Sequence, residues 1–204
     1  MKHIISHFKK VDPVLHKTIL QFKSLDFLTI SKSNDYLRSL CREIIGQQLS
    51  GKVAHVIFER FLKLFPEKKI TAEKLFKIPD IKLRSVGMSW SKVGFLKDLA
   101  KKVMNKKLDL KTIDRLDNKQ VAKNLTMVKG IGPWTCEMFL MFALGREDLF
   151  SHGDYGLRKA IKNIYKFKKD PTKKQIEKIT AKWSPYRTYA CLILWESFDI
   201  KLPV

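Results

Sequence analysis

Cysteine is scarce in this sequence. Cys41, Cys136 and Cys191 are the only three in 204 residues, they stand far apart, and none sits in a Cys-x-x-Cys pair. That spacing offers neither a disulfide framework nor a zinc or iron–sulfur ligand set, so each is read as a small core residue. Acidic residues are also few, 20 against 41 Lys and Arg, for a formal net charge of +21. Long apolar runs are missing: the longest, Tyr189 to Trp195, falls far short of the ~20 residues of a spanning helix, and MKHIISHFKK lacks a signal-peptide core. The expectation is a soluble intracellular protein with no membrane contact, in the cytoplasm or nucleoid, or in the nucleus if eukaryotic. Strand-type alternation is absent as well, and the 9 glycines and 7 prolines serve as punctuation, so the fold class expected is all-α.

What is present is a core and a polyanion-seeking surface. With 45% hydrophobic residues, the basic excess decorates a chain that folds. A basic protein without a lipid-anchor site or a basic amphipathic helix points to nucleic acid before membrane. Lys101, Lys102, Lys106 and Lys107, with Lys166, Lys168, Lys169, Lys173 and Lys174, form basic clusters, readable either as solvated faces or as DNA contacts. Any that touch DNA make affinity fall with salt, with a log–log slope of about −0.9 per phosphate neutralised.

Helix signals recur along the chain. Asp12-Pro13 reads as a cap and first helical residue, with Val14, Leu15, Ile19 and Phe22 as the apolar stripe and as the opening of the fold. Residues 35–45 place Tyr36, Leu37, Leu40, Cys41, Ile44 and Ile45 on one face. Residues 52–65 do the same with Val53, Val56, Ile57, Phe61, Leu64 and Phe65. Between them lies the polar interruption Gly46 to Gly51. A third amphipathic stretch, 91–104, carries Val93, Leu96, Ala100 and Val103.

Asp117 and Gln120 have the spacing of a capping box before Val121, Ala122, Leu125 and Val128. Gly130-Ile131-Gly132 stops that helix. Pro133 opens the next, with Cys136, Phe139, Leu140 and Ala143 at i, i+3, i+4 and i+7, and Gly145 ends it. Glycines let the backbone approach a partner, and a helix start offers unpaired N–H groups, which together suit a phosphate. Taken alone, a Gly-x-Gly turn reads first as a plain link between packed helices.

Four ordered segments lift that ambiguity: IIGQQLSGKVA at 44–54, LRSVGMSWSKVGFLKDLA at 83–100, LTMVKGIGPWTCEMFLMFALGREDLFSHGDYGLRKAI at 125–161 and WSPYRTYACLILW at 183–195. Together they resemble the helix-hairpin-helix (HhH-GPD) DNA glycosylase superfamily, specifically the 3-methyladenine DNA glycosylase II branch. The chain resembles its compact all-α form, having no room for the N-terminal β-domain many members carry. The resemblance implies a two-lobed helical fold with DNA bound in the cleft between the lobes. Residues 33–146 would form a central lobe with the hairpin at 118–144, and residues 1–32 plus 147–204 a second lobe carrying the catalytic residue.

Carried over position by position, the resemblance makes Asp154, 22 residues beyond Gly132, the catalytic aspartate; a helix N-cap is its plainer role, and the two can coexist. Cleaving an N-glycosidic bond builds positive charge on the sugar, which a carboxylate stabilises while orienting or deprotonating water. Trp134 and Trp195, with Tyr155 and Met138 as weaker candidates, would line the base pocket, since a flipped and cationic base gains from flat π faces; core packing is the alternative for each tryptophan. Lys129, Gly130, Ile131, Gly132 and Thr135 would bind DNA at the hairpin. Backbone carbonyls of Thr126, Val128 and Ile131 would hold a sodium or potassium ion, with no other cofactor. Gln47, Gln48, Leu49 and Ser50 would form the wedge that fills the gap left by the flipped nucleotide, with Gln48 and Leu49 the side chains to insert. Trp183, Pro185 and Arg187 are read as holding their lobe together.

Departures matter too. Bifunctional relatives place a Schiff-base lysine where this chain has Trp134, so water is the expected nucleophile and the abasic site stays uncut. Lys129 is the nearest amine for a lyase reading, and Gly153 stands where some relatives have a second acid. The expected function is monofunctional hydrolytic removal of 3-methyladenine and 7-methylguanine from double-stranded DNA by a monomer. The alternatives are a non-catalytic hairpin protein that binds DNA structures and a bifunctional glycosylase/lyase.

Overall fold

The computed structural model describes residues 1–199, and among them it holds helices and short 3-10 turns but no strand. The chain forms two compact units, one from Lys32–Leu144 and one from Met1–Ser31 together with the chain from Gly145 onward.

In the Lys32–Leu144 unit, helix α3 (Tyr36–Gly46) starts at Asp35, whose side chain accepts the Arg38 N–H at 2.9 Å. It buries Leu40, Cys41, Ile44 and Ile45. Helix α4 (Gly51–Leu62) buries Ile57, Phe58, Phe61 and Leu62. Val53 and Val56, expected on that face, are instead 47% and 43% exposed, because a stripe centred on these four residues turns both valines away from it. Helices α5 (Ala72–Lys77) and α6 (Asp80–Ser85) pack on the longer α7 (Trp90–Met104), which also meets α3.

Helix α8 (Asn118–Leu125) carries the Asp117/Gln120 capping box, with Gln120 N–H to Asp117 Oδ1 at 2.8 Å and Asp117 N–H to Gln120 Oε1 at 3.1 Å. Helix α9 (Pro133–Phe142) opens on Pro133, and Gly145, at φ +67°, follows it in the left-handed conformation that glycine takes without strain.

The other unit opens earlier than the sequence signals indicate. Helix α1 (Lys2–Val11) precedes α2 (Pro13–Ile19) and buries Ile4 and Phe8. Its start carries no side-chain cap, which is why its beginning was illegible. Helices α10 (Tyr155–Ile164), α11 (Lys173–Thr180) and α12 (Arg187–Asp199) complete it, with α10 packed against α12. Asp12 is 4% exposed and binds three donors. It caps α2 through the Leu15 N–H at 3.1 Å and also accepts the Tyr165 hydroxyl at 2.6 Å and Trp183 Nε1 at 2.9 Å. Burial and the neighbouring Asp12 push the Tyr165 phenol far above its ordinary range.

Arg187 donates to both carboxylate oxygens of Asp148, Nε to Oδ1 at 2.6 Å and Nη2 to Oδ2 at 3.1 Å. Trp183 is fully buried, so these two residues do tie their unit together. All three cysteines are free and buried, and burial pushes the Cys136 thiol up to about 11.

Candidate active site

The expected site residues fall into two groups, one in each unit. The first is built on α10 and α12. The Asp154 side chain caps α10, its Oδ1 accepting the Leu157 N–H at 2.8 Å and, from α12, the Trp195 indole N–H at 3.1 Å. Two donors of different origin therefore fix one carboxylate oxygen, which gives the group an orientation a lone cap would not have. Gly156 makes this approach possible: a Cβ there would stand 3.3 Å from Asp154 Oδ1 and 3.5 Å from Trp195 Cδ1. Tyr155 is 62% exposed, with the Lys159 ammonium 5.4 Å from its ring centroid.

The second group joins the hairpin to the 47–50 loop. Gly130 sits at φ +80°, and a Cβ on it would lie 2.1 Å from Cδ2 of Phe95, so no other residue fits. The Gly130 and Gly132 N–H groups donate to no acceptor among the described residues, while a Cβ on Gly132 would meet open space. That is the arrangement a phosphate oxygen needs. The Lys129 N–H is taken by Asp98 Oδ2 at 2.8 Å. Gln47 Nε2 donates to the Gly130 carbonyl at 2.8 Å and to Thr135 Oγ1 at 3.2 Å. Gln48, at φ +57°, Leu49 and Ser50 are exposed. Trp134 is 43% exposed, whereas Met138, one turn along α9, is 4% exposed.

For a monovalent cation, the donors at Thr126, Val128 and Ile131 are neutral backbone oxygens, the hard set such an ion accepts. The Val128 carbonyl already accepts the Ile131 N–H at 3.1 Å but keeps a second lone pair. Among the described residues no group of three His, Cys, Asp or Glu could hold a metal ion, and no helix is long and apolar enough to cross a membrane.

Several residues in the second group escaped sequence reasoning. A cavity of about 550 Å³ opens between α3 and α4, with Arg42, Glu43, His55 and Trp134 among its walls. Burial pushes the Glu43 carboxyl above its ordinary value, with Arg42 pulling the other way. Lys92 Nζ donates to the carbonyls of Ile45 at 2.8 Å and Gln47 at 2.7 Å, and burial lowers its pKa. On amphipathic helices a lone Glu or Lys reads as part of a solvated face. Only the shared spacing of Lys92, Phe95 and Asp98 could have hinted otherwise.

The family model of HhH-GPD superfamily base excision DNA repair proteins matches residues 41–185, well over half of the chain. The chain belongs to this superfamily. The HhH-GPD match takes in the 47–50 loop, the hairpin and Asp154, while Trp195 lies beyond it. DNA-3-methyladenine glycosylase 1 of Schizosaccharomyces pombe is 32% identical over 175 residues, covering 83% of this chain and 75% of the relative. Among solved HhH-GPD relatives, the DNA-3-methyladenine glycosidase of Bacillus halodurans superposes with TM-score 0.79 at 32% identity, over 94% of this chain and 88% of that one. The S. pombe 3-methyladenine DNA glycosylase in complex with abasic DNA gives TM-score 0.83 at 28% identity, over 97% of each chain.

Proposed function

We propose that this protein is a monofunctional DNA glycosylase of base excision repair. It acts as a monomer on alkylated purines in double-stranded DNA, 3-methyladenine and 7-methylguanine foremost, wherever the cell keeps its DNA. The observation that carries the reading is the oriented Asp154 carboxylate, held through Oδ1 by the Leu157 and Trp195 N–H groups. It is supported by the names of the relatives at 28–32% identity.

The chemistry asks little of the protein. A purine methylated at N3 or N7 carries positive charge, so when the N-glycosidic bond breaks its electron pair neutralises the departing base. Positive charge then grows at C1′ and O4′ of the sugar. Asp154 stabilises that charge and accepts the proton of the water whose oxygen bonds to C1′, leaving an abasic site. Trp134 and Trp195 supply aromatic faces for the flipped base. Trp134 has no amine, so no Schiff base forms at that position and the strand stays intact. The hairpin's Gly130 and Gly132 N–H groups receive a backbone phosphate, and a sodium or potassium ion on the Thr126, Val128 and Ile131 carbonyls would add positive charge there.

The test is a methylated-purine duplex incubated with excess protein. Mass spectrometry identifies the released base, and strand integrity is read before and after alkali. Methylpurine release with breaks only after alkali is the expected result. Tight binding without release contradicts the substrate assignment, and a borohydride-trapped covalent adduct replaces hydrolysis with lyase chemistry, Lys129 being the first amine to examine.

A further inference from the structure

Helix α7 carries three residues, Lys92, Phe95 and Asp98, at i, i+3 and i+6, and each touches a different part of the second group. Lys92 reaches the end of α3, where carbonyls lack helical partners and carry partial negative charge. There it binds Ile45 O at 2.8 Å and Gln47 O at 2.7 Å. Phe95 lies under the hairpin so closely that only glycine fits at 130. Asp98 takes the Lys129 N–H at 2.8 Å and is itself paired with Lys102 on the next turn. The Gln47 side chain closes the triangle, running from the loop to Gly130 O and Thr135 Oγ1.

One residue is thus fastened at both of its ends: the Gln47 carbonyl by Lys92, its amide by the hairpin. The next residue, Gln48, holds a left-handed backbone at φ +57°. Leu49 and Ser50 follow into solvent. A Gln47 occupied in this way is a strap, and the side chains left to enter a duplex are those after it.

We infer that Lys92 and Gln47 are positioning residues for base removal, setting the register of the exposed 48–50 loop against the phosphate-binding hairpin so that both meet one duplex together. This rests on the glycosylase reading above. Neither residue touches the reacting atoms; both act through the loop. Partial desolvation of the Lys92 ammonium fits the role, since the Ile45 and Gln47 carbonyls take the place of water it has lost.

The test uses Lys92→Met, Gln47→Met, the double variant and Lys92→Arg. Three readouts are taken: single-turnover base release, fluorescence of 2-aminopurine placed beside the lesion to report unstacking, and melting temperature. Misplacing a positioning loop costs up to about a hundredfold in rate. Each methionine variant is expected to lose about tenfold to a hundredfold in release, with the unstacking signal reduced alongside it. The double variant should lose no more than the worse single one, because both cut the same strap. Lys92→Arg, which keeps two donors for the carbonyls, should recover most of the loss.

Wild-type rates in the methionine variants, losses that multiply in the double, or slower release with unaltered unstacking would each overturn the inference. Losses that track melting temperature alone do the same. Unstacking requires no bond cleavage, so if the wild type released no base the glycosylase reading would fail while the fluorescence still decided whether the strap positions the loop.

Discussion

At the scale of single residues, two groups in the Gly145-onward unit make stability fall with acid. Burial holds the His152 imidazole below its ordinary 6.5, with Glu177 opposing it and Lys173 and Arg187 reinforcing it. The unfolded chain therefore takes up a proton below about 6.5 that the folded one refuses. Stability from this residue is complete above that pH and drains away beneath it. Burial raises the Asp148 carboxyl, but the Arg187 guanidinium and Ser184 hydroxyl outweigh it and hold the group below its ordinary 3.8. That contribution is present above 3.8 and is lost as pH falls further. Melting temperature is thus expected to be flat from about pH 7 to 8, to slope downward from 6.5 and to drop again below 4. His152→Phe should remove the upper slope, and an unchanged profile in that variant contradicts the account.

Residue roles were legible unevenly. Asp154 is legible as a cap because its residue type ahead of α10 shows in the chain, whereas its catalytic role is what the resemblance implies. Asp12 was found only as a cap: its bonds to Tyr165 and Trp183 join positions 153 and 171 residues away, a span no local pattern encodes.

At the scale of elements, the hairpin is the clearest case of sequence dictating shape. The capping box, Pro133 and Gly145 all do what their residue types dictate. Gly130 does more, because its left-handed φ and the Phe95 ring together forbid a side chain. Gly130→Ala is expected to cost roughly 3 kcal/mol, from strain at positive φ plus overpacking against the ring, and to weaken duplex binding with it. Gly132→Ala, at an ordinary φ of −100° with open space around it, should cost less than about 1 kcal/mol in stability. It should still impair DNA binding by crowding the phosphate. Equal melting temperatures for the two variants would refute the packing argument. The role of α7 stayed hidden, since its apolar stripe announces a packed helix while the residues that organise the site, Lys92 and Asp98, lie among ordinary surface charges.

At the scale of the whole molecule, the charge of +21 says what kind of partner is sought but not where it binds. Some basic residues turn out to be internally engaged. Lys102 pairs with Asp98, and Lys159 and Lys162 both pair with Asp170. Family membership follows from four motifs spread across most of the chain, which is why the function was readable when no single motif sufficed. The α3–α4 cavity and Glu43 remained invisible because a pocket is a property of packing. The most direct test of the central claim is single-turnover release of 3-methyladenine by wild type and by Asp154→Asn, at equal occupancy of the same duplex. The account predicts that the variant, isosteric and still able to accept the Leu157 and Trp195 N–H groups, binds as the wild type does and loses at least about a hundredfold in rate. Release at the wild-type rate would remove Asp154 from the chemistry and contradict the account.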